Sequence, residues 1–474
     1  MPNHAQEDFR AALDRAMTLA LGYLDSLPDR PVSRTPDMDV MTAALSSPFP
    51  DAGCPPDEAV AEWFRRAEVG IVASPGPRFF GFVNGGTLPA AMAGDWLASA
   101  IDQNAGLWLS SPAAVQTETV VLDWLKDLFG LPMAWSGALT SGATMANLVG
   151  LAAARQWAGT RLGFDPSRDG LAGNPAIPVV SSTEIHASAR KCLATLGLGR
   201  GRTSALPAPG GAVEIPALEE ELGRHAGPVI VIANAGEVNS GAFDSLAEVA
   251  DCCERHPGGA WLHVDGAFGL FAAASPRYRG LVAGIERADS VASDGHKWLN
   301  VPYDSGFAFV RDREMLRAAF TVEASYLTPA AGAPWDPYSH VPEMSRRFRG
   351  LAAWCALRSM GRAGYREIVE RCAANAAEFA AWVERQPGLE LVAPAPLNIV
   401  CFRLTVPDRD PAAQDEANRS AVSLIQKDGR AFVTGTFWRD RAAIRAAFDN
   451  WMTTPDDVRM LQQVVSDAAA RVSG

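Results

Sequence analysis

The chain has 474 residues, of which 48% are hydrophobic and 20% charged, and its formal net charge is -12. This length suits two or three domains with a large buried core. An acidic chain lacks the basic footprint of a general nucleic-acid binder, so we expect no nucleic-acid partner. Apolar runs too short to span a bilayer and early acidic residues predict no membrane partner and no signal peptide. Seven scattered cysteines without a Cys-x-x-Cys pattern predict a cytoplasmic protein with no metal site.

The N-terminal part of the chain is predicted to be a helical arm. Apolar residues recur at helical spacing from residue 6 to 26, which predicts an amphipathic helix. Pro28, Pro31 and Pro36 end this helix, and a Pro- and Gly-rich stretch follows from Ser46 to Pro56. We therefore interpret residues 1–75 as an arm that packs on another element, with a partner subunit as one candidate.

Strand-like apolar runs alternate with helical stretches over residues 76–345. Runs that are apolar throughout suit strands covered on both faces. The alternation predicts a large α/β domain with a mainly parallel sheet. The runs are Val179–Ser181, Val229–Ile232, Trp261–Val264, Ser290–Ala292 and Gly306–Val310.

Residues 346–474 are predicted to form a smaller α+β domain. Helical patterns cover Leu351–Met360, Ile368–Val383 and Asp456–Val472, and a strand-like run covers Ile399–Phe402. This change of pattern separates the C-terminal part from the central α/β part.

A turn of small residues is the first candidate site. Gly142, Ala143 and Thr144 open a predicted helix that runs through Leu148 to Trp157. Backbone N–H groups at the positive end of a helix dipole form a phosphate site in outline. An ordinary N-cap is the alternative.

Two polar residues follow predicted strands. His186 comes after the Val179–Ser181 run, at the strand end where open α/β sheets place ligands, and its imidazole could stack on an aromatic cofactor. A structural histidine is the alternative. Asp265 ends the Trp261–Val264 run, and a buried acid needs a cation or donor such as a protonated pyridine nitrogen. Ala267 is small enough for a flat ring to lie close. A metal ligand or a helix cap remains open for Asp265.

Lys297 is the candidate nucleophile. It lies between His296 and Trp298 after the run Ser290–Ala292. An amine among aromatic and apolar groups is suited to attack an aldehyde, although a lone lysine in a loop is usually a surface residue. Phosphate turn, histidine, acid and lysine occur in the order that an enzyme of pyridoxal 5'-phosphate (PLP) needs, with Lys297 as the Schiff-base residue.

Several further stretches match one family of PLP enzymes. On these stretches the chain resembles the group II PLP-dependent amino-acid decarboxylases, the family of aromatic-L-amino-acid decarboxylase and glutamate decarboxylase. The resemblance extends from about residue 70 to the C-terminus. The stretches are Pro77–Gly81, Ser111–Ala113, Glu118–Val120, Asp123–Leu125, His263–Ala267, His296–Trp298 and Arg346–Arg349.

The resemblance implies a fold and a set of roles. The fold is the aspartate-aminotransferase type (fold type I), with a mainly parallel seven-stranded sheet and a smaller C-terminal domain, in an obligate homodimer with shared active sites. The implied roles are these: Lys297 forms the Schiff base, Asp265 holds the pyridinium proton, His186 and Ala267 lie against the two ring faces, and Gly142, Ala143 and Thr144 hold the phosphate with His296.

The implied substrate contacts are fewer. Asn84 lies in the region that lines the pocket in relatives, and Phe80 is one of several aromatic residues that could supply an apolar wall. The family uses a mobile-loop tyrosine to reprotonate Cα. The corresponding region here is Tyr326–Glu343, in which Tyr338 is the nearest candidate.

One departure from the family concerns the phosphate. Asp294 lies two residues before His296, where some relatives have an asparagine near the phosphate. An acid beside a phosphate is unfavourable unless a donor intervenes.

The sequence therefore predicts a PLP-dependent carboxy-lyase that converts an L-amino acid, preferably aromatic, to its amine and carbon dioxide. An acidic or other polar substrate, or an aldehyde synthase on the same scaffold, are the alternatives. A catalytically inactive binding dimer is disfavoured by intact Lys297, Asp265 and His186. A nicotinamide-dependent dehydrogenase is disfavoured because no Gly-x-Gly-x-x-Gly follows an early strand.

Overall fold

A computed structural model describes residues 2–33, 36–322 and 335–473, and its centre is a seven-stranded sheet. The strand order is β1-β7-β6-β5-β4-β2-β3. The strands from β6 to β3 pair in parallel, and β7 runs antiparallel to both β6 and β1. The bounds are β1 Ser136–Thr140, β2 Val179–Ser182, β3 Thr203–Leu206, β4 Val229–Asn234, β5 Ala260–Asp265, β6 Ser290–Asp294 and β7 Gly306–Val310.

The predicted mainly parallel α/β sheet is confirmed, and so are five of its strands. The runs predicted at 179, 229, 261, 290 and 306 are β2, β4, β5, β6 and β7. Strands β4, β6 and β7 are buried along their whole length because helices cover both faces. Strands β1 and β3 were not predicted, since they are short and carry small or polar residues.

Helices surround this sheet. The helix predicted over residues 6–26 is confirmed as α1, and the helix at the small-residue turn begins at Ala143. No helix within the described ranges is both long and apolar enough to cross a bilayer. The bounds are α1 Pro2–Ser26, α2 Met38–Leu45, α3 Pro56–Ala67, α4 Pro89–Ile101, α5 Pro112–Phe129, α6 Ala143–Arg161, α7 Pro166–Asp169, α8 Ala187–Thr195, α9 Ile215–Gly223, α10 Leu246–Arg255 and α11 Arg313–Phe320.

A four-stranded antiparallel sheet, β10-β11-β9-β8, follows in the C-terminal part. The two helices predicted over 351–360 and 368–383 form one span with a break at Gly361, whose φ of 58° is a conformation that glycine adopts readily. The bounds are α12 Gly350–Arg385, β8 Leu389–Leu391, β9 Ile399–Leu404, α13 Pro411–Asp428, β10 Thr434–Trp438, β11 Arg441–Ala447 and α14 Pro455–Ser473.

The topology brings the candidate residues to one edge of the large sheet. Strands β1, β2, β5 and β6 all point the same way, because β1 and β6 are both antiparallel to β7. The phosphate turn, His186, Asp265 and Asp294 stand at or just after the carboxyl ends of these four strands. Ligands of open α/β sheets bind at this edge.

Candidate active site

The turn between β1 and α6 is shaped by close backbone contacts. A Cβ atom built on Gly142 would lie 3.3 Å from Cε1 of His296, and one built on Gly306 would lie 2.5 Å from the Gly142 backbone. Glycine at both positions therefore lets the turn lie between β7 and the His296 ring. The turn presents the first N–H groups of α6 toward the strand ends, which is the arrangement that binds phosphate. Thr144 follows them on an exposed position.

Asp265 is buried at the end of β5 with both oxygens hydrogen-bonded. Asn147 Nδ2 donates to Oδ2 (2.9 Å), and the Ala267 backbone N–H donates to Oδ1 (3.1 Å). No lysine or arginine of the described ranges forms an ion pair with this carboxylate. Both donors are neutral, so the carboxylate is held in place while its charge is left for a cationic partner.

The hydrogen bonds behind Asp265 run in one direction. A carboxylate only accepts, so Asn147 Nδ2 faces Asp265 and Asn147 Oδ1 faces His263 Nε2 (2.9 Å), which must carry the proton. His263 Nδ1 then accepts from the Ser290 hydroxyl (2.8 Å), which in turn accepts from Trp261 Nε1 (2.8 Å). Complete burial lowers the pKa of His263 to about 4, so the imidazole in this chain of donors is neutral.

His186 stands at the N-terminus of α8 with its ring exposed on the cleft side. Nδ1 accepts from the Ser188 backbone N–H (3.3 Å) and lies 2.7 Å from the Ser188 hydroxyl, so Nε2 carries the proton. Loss of solvent among the surrounding protein atoms lowers the pKa of His186, and the charges of Asp265 and Lys297 act on it in opposite directions. A lowered pKa favours the neutral imidazole, and the ring is close enough to both predicted residues, Asp265 and Lys297, to respond to their charges.

Lys297 follows β6 in a short turn. Its Nζ lies 3.0 Å from Asp294 Oδ2 and 5.8 Å from the centre of the Phe268 ring. A Cβ on Gly85 would come within 2.0 Å of the Lys297 carbonyl oxygen, and the Gly85 N–H donates to the His296 carbonyl (3.1 Å). The backbone on both sides of the amine is therefore fixed, while the amine itself stays near the surface of the cleft.

His296, Tyr303 and Asn84 form a second group next to Lys297. His296 donates through Nδ1 to the Ser305 carbonyl (3.0 Å), which leaves Nε2 facing the phosphate turn. Its ring stacks on Tyr303 at 4.2 Å between centroids, and the Tyr303 hydroxyl donates to Asn84 Oδ1 (2.5 Å). Burial lowers the pKa of His296. The predicted residue Asn84 is thus joined to the site through Tyr303.

Phe80 lies in the hydrophobic core, where its ring packs on Phe448 at 5.0 Å, and it is 1% exposed. The structure therefore does not bring Phe80 to the cleft. Phe82 is 60% exposed and lines a cleft of about 370 Å³ beside His186. Its φ of 57° is unusual for a bulky residue, and such conformations concentrate at functional sites.

Tyr338 lies on the 3-10 turn Pro337–His340 and is buried. Its backbone N–H donates to the Gly106 carbonyl (3.2 Å), so the residue belongs to the packed body of the chain. Tyr326, the other tyrosine of the region, lies outside the described residues. The identity of the loop tyrosine therefore stays a prediction.

Asp449 is a buried acid near the site that the sequence analysis did not identify. Its Oδ2 has no hydrogen-bond partner among the described residues. Burial raises the pKa of Asp449 to about 7, against the opposing effects of Lys297 and of a hydrogen bond from the Asn84 N–H. The signal was related to the one that identified Asp265, the last residue of β5, since Asp449 lies two residues after the end of β11.

The sequence also did not predict a role for Asn147 or His263, although Asn147 lies in the helix after the phosphate turn and His263 in the strand that ends at Asp265. A polar side chain within a run of apolar residues is the signal, because a buried polar group needs a partner. The partner could not be read from the chain, since 116 positions separate Asn147 from His263.

These residues fit a phosphorylated pyridine aldehyde. The glycine turn would receive the phosphate, because a side chain at Gly142 would fill that space. Asp265, which forms no ion pair within the described ranges, would face the ring nitrogen. The exposed ring of His186 would lie on one ring face and Ala267 near the other, with the Lys297 amine close to the aldehyde. One group opposes the phosphate, since Asp294 Oδ1 accepts from the Ala143 N–H.

Comparisons with known proteins agree with this fit. The model of the pyridoxal-dependent decarboxylase conserved domain matches residues 49–405. An aromatic-L-amino-acid decarboxylase of Bacillus atrophaeus is 30% identical over 477 residues, which covers 98% of this chain and 96% of the relative. Tryptophan decarboxylase 1 of Oryza sativa subsp. japonica is 29% identical, over 97% of this chain and 93% of the relative.

Solved structures show the same relationship. The structure of Oryza sativa TDC with PLP and tryptamine has a TM-score of 0.92 and 28% identity, and the match covers 99% of both chains. A 4-hydroxyphenylacetaldehyde synthase of Rhodiola rosea, 22% identical, shares the fold with a TM-score of 0.87, over all of this chain and 99% of the other. The predicted fold type I is therefore confirmed, and the chain belongs to the pyridoxal-dependent decarboxylases, as a PLP-dependent carboxy-lyase.

Proposed function

We propose that this enzyme converts an aromatic L-amino acid to the corresponding amine and carbon dioxide. The observation that carries the substrate class is Phe82, which exposes its ring on the cleft beside His186. An exposed aromatic ring offers an apolar surface for a flat side chain. The names of the relatives over the whole chain, aromatic-L-amino-acid decarboxylase and tryptophan decarboxylase, support the same class.

PLP, when bound, supplies the electron-accepting ring that allows a bond at the substrate Cα to break. The Lys297 amine would hold the cofactor at its aldehyde. We assign Asp265 to hold a proton at the ring nitrogen, because its charge has no other cationic partner among the described residues. Asn147 and Ala267 keep its oxygens in place during this interaction.

We assign orientation of the substrate to the groups on the cleft side. His186, neutral and carrying its proton on Nε2, offers a flat face and one donor toward the cleft. Asn84, fixed by Tyr303, stands beside Lys297 and is assigned to the substrate carboxylate end. Gly142, Ala143, Thr144 and His296 are assigned to the phosphate.

We propose Tyr338 as the residue that returns the proton to Cα after carbon dioxide leaves. The support is the family resemblance and its place beside the segment 323–334. Decarboxylation with this proton transfer yields an amine, whereas a site without it favours reaction with dioxygen and water, which yields the aldehyde, ammonia and hydrogen peroxide. The comparison of Tyr338→Phe with Tyr326→Phe therefore identifies the tyrosine, since the correct variant loses amine formation and the other keeps it.

We propose that two copies form a homodimer with shared active sites. Helix α1 exposes a row of apolar side chains, and an apolar cavity of about 440 Å³ lies between α1 and α4. A twofold axis brings the same row of both copies together, which buries it without a second partner. Light scattering should give twice the chain mass. Leu13→Glu should yield monomers with little activity. The exposed row consists of Phe9, Leu13, Met17 and Leu21.

We propose a cytoplasmic location and three structural units, 1–75, 76–345 and 346–474. The support for the location is that all seven cysteines are free. The support for the last boundary is the change from the seven-stranded to the four-stranded sheet. Cell fractionation tests the location, and limited proteolysis near residues 75 and 345 tests the boundaries.

The activity test begins with the absorbance spectrum of the purified protein. We expect an absorbance band near the visible edge that disappears on borohydride reduction. The reduction should leave the cofactor permanently attached to Lys297 as a covalent label. Lys297→Ala should lose the label, whereas Lys191→Ala, a variant of an exposed lysine on α8, should keep it. A panel of L-tryptophan, L-tyrosine, L-DOPA, L-histidine, L-glutamate and L-aspartate follows, with detection of amine, ammonia and peroxide.

Amine from an aromatic substrate without peroxide supports the proposal. Amine from L-glutamate or L-aspartate alone would show that the substrate is an acidic and not an aromatic amino acid. Aldehyde with ammonia and peroxide would show that the enzyme is an aldehyde synthase and not a decarboxylase that forms an amine.

A further inference from the structure

The carboxylate of Asp294 stands among the donors of the phosphate turn. Its Oδ1 accepts from the Ala143 N–H at 2.5 Å and lies 3.5 Å from His296 Nε2. Its Oδ2 lies 3.0 Å from Lys297 Nζ. The side chain is 6% exposed, so water replaces none of these contacts easily. One acid therefore contacts the turn, the phosphate-facing histidine and the Schiff-base lysine.

The surrounding backbone holds Asp294 in this position. Asp294 is the last residue of β6, and its N–H donates to the Ala267 carbonyl (3.0 Å). A Cβ on Gly142 would lie 3.2 Å from Oδ1, and the Gly306 backbone lies directly behind the turn. The turn cannot withdraw from the carboxylate, because Gly306 packs against it. The carboxylate and the turn therefore stay in contact unless the side chain of Asp294 rotates.

A phosphate ester needs the same donors. Helix N-terminal N–H groups bind anions, and an N–H that already donates to a carboxylate is not available to a second anion. Two anions in a buried site also repel each other. The Lys297 amine contacts the other carboxylate oxygen of Asp294, so it leaves the contact of Oδ1 with the Ala143 N–H in place.

We propose that Asp294 weakens the hold of the enzyme on the phosphate end of its cofactor by competing for the Ala143 N–H. The cofactor is then retained mainly by its covalent bond to Lys297. Phosphorylated forms of the cofactor that lack this bond dissociate readily from the site. This inference rests on the assignment of the phosphate to Gly142–Thr144. It predicts that Asp294→Asn, which keeps the shape and removes the charge, binds such forms more tightly.

The probe is pyridoxamine 5'-phosphate, which carries no aldehyde and cannot bond to Lys297. Its dissociation constant is measured by calorimetry on cofactor-depleted wild type and Asp294→Asn, with pyridoxamine as the ligand without phosphate. We expect Asp294→Asn to bind the phosphorylated ligand at least tenfold more tightly, with an unchanged constant for pyridoxamine. Inorganic phosphate should compete better on the variant by a similar factor.

Glu184→Gln is the matched control, because it removes one negative charge from the cleft wall without touching the turn. It should change the constant less than twofold. Asp294→Ser is the second variant if the asparagine protein does not fold, as judged by circular dichroism.

Equal or weaker binding of the phosphorylated ligand by Asp294→Asn overturns the proposal, and so does an equal gain for pyridoxamine. An equal gain in Glu184→Gln overturns it as well, since general charge would then explain the effect. Failure of wild type and variant alike to bind either ligand would instead contradict the placement of the cofactor in this cleft.

Discussion

Asn147 donates to Asp265 on one side and accepts from His263 on the other, at 2.9 Å in both cases. The amide can make both bonds in one orientation only. Gly150, one turn further along α6, leaves room for the imidazole, since a Cβ there would lie 2.7 Å from His263. Asn147 is therefore a positioning residue for Asp265, the acid that we propose to face the ring nitrogen.

Replacement of Asn147 by alanine should lower kcat more than it changes KM. Loss of a hydrogen bond to a charged group corresponds to about 1.5–3 kcal/mol, which is tenfold or more in rate. The absorbance spectrum of the bound cofactor and its pH dependence should also change, because the position of Asp265 affects the ring nitrogen. Steady-state kinetics and spectral titration provide the measurements.

His263→Gln is the companion to this variant. A glutamine amide can still donate to Asn147 Oδ1, so it should restore most of the activity and spectrum that His263→Leu loses. A wild-type spectrum in Asn147→Ala, or identical behaviour of His263→Gln and His263→Leu, would reduce this pair to a structural role.

The second prediction concerns Asp449 and pH. Its folded pKa of about 7 lies above the ordinary value of 3.8, because burial disfavours the charged form. Between these two values the folded protein binds more protons than the unfolded chain, so Asp449 lowers stability as pH rises through this window. Asp449→Asn should therefore gain up to about 3 kcal/mol more stability at pH 8 than at pH 5, relative to wild type.

Urea unfolding at the two pH values measures this difference. The Asn84 N–H can still donate to the asparagine oxygen, so the variant tests the charge rather than the contact. Asp312→Asn, at the exposed N-cap of α11, should show no such pH-dependent gain. If Asp449→Asn loses stability equally at pH 5 and pH 8, the carboxylate is charged in the folded protein and stabilises it, which contradicts the prediction.

Motifs and strand periodicity predicted which residues meet at the candidate site but not the contacts that support them. Lys297, Asp265 and His186 could be placed because each follows an apolar strand, and parallel strands end at one edge. Asn147 and His263 could not be paired, since the contact joins a helix to a strand far along the chain. Phe80 and Phe82 lie outside regular structure, so no periodicity showed which ring faces the core.

The third prediction separates these two phenylalanines. Phe82→Ala should raise KM for an aromatic substrate, because the loss of an aromatic contact corresponds to about 0.5–1.5 kcal/mol. Its effect on stability should be small, since the ring is exposed. Phe80→Ala should instead destabilise the fold by about 3–5 kcal/mol, as expected for a large core side chain. Kinetics and thermal unfolding of both variants test this prediction. A stable Phe80→Ala enzyme with a raised KM would instead show that Phe80 contacts the substrate.

The last prediction concerns the buried ion pair of Glu118 and Arg346, which fixes the strand leading to the phosphate turn. Both guanidinium Nη atoms donate to the carboxylate at 2.9 Å, and both also donate to backbone carbonyls, one of them that of Leu139 in β1. Removing one partner leaves a buried charge without its counter-ion. Glu118→Gln or Arg346→Met should therefore each lower the free energy of unfolding by about 3–5 kcal/mol. The double variant should lose much less than the sum of the single losses. Urea unfolding of the four proteins gives the coupling energy, and additive losses would mean that the two residues act independently.

Because the Leu139 carbonyl lies one residue before the end of β1, the single variants should also bind pyridoxamine 5'-phosphate less tightly.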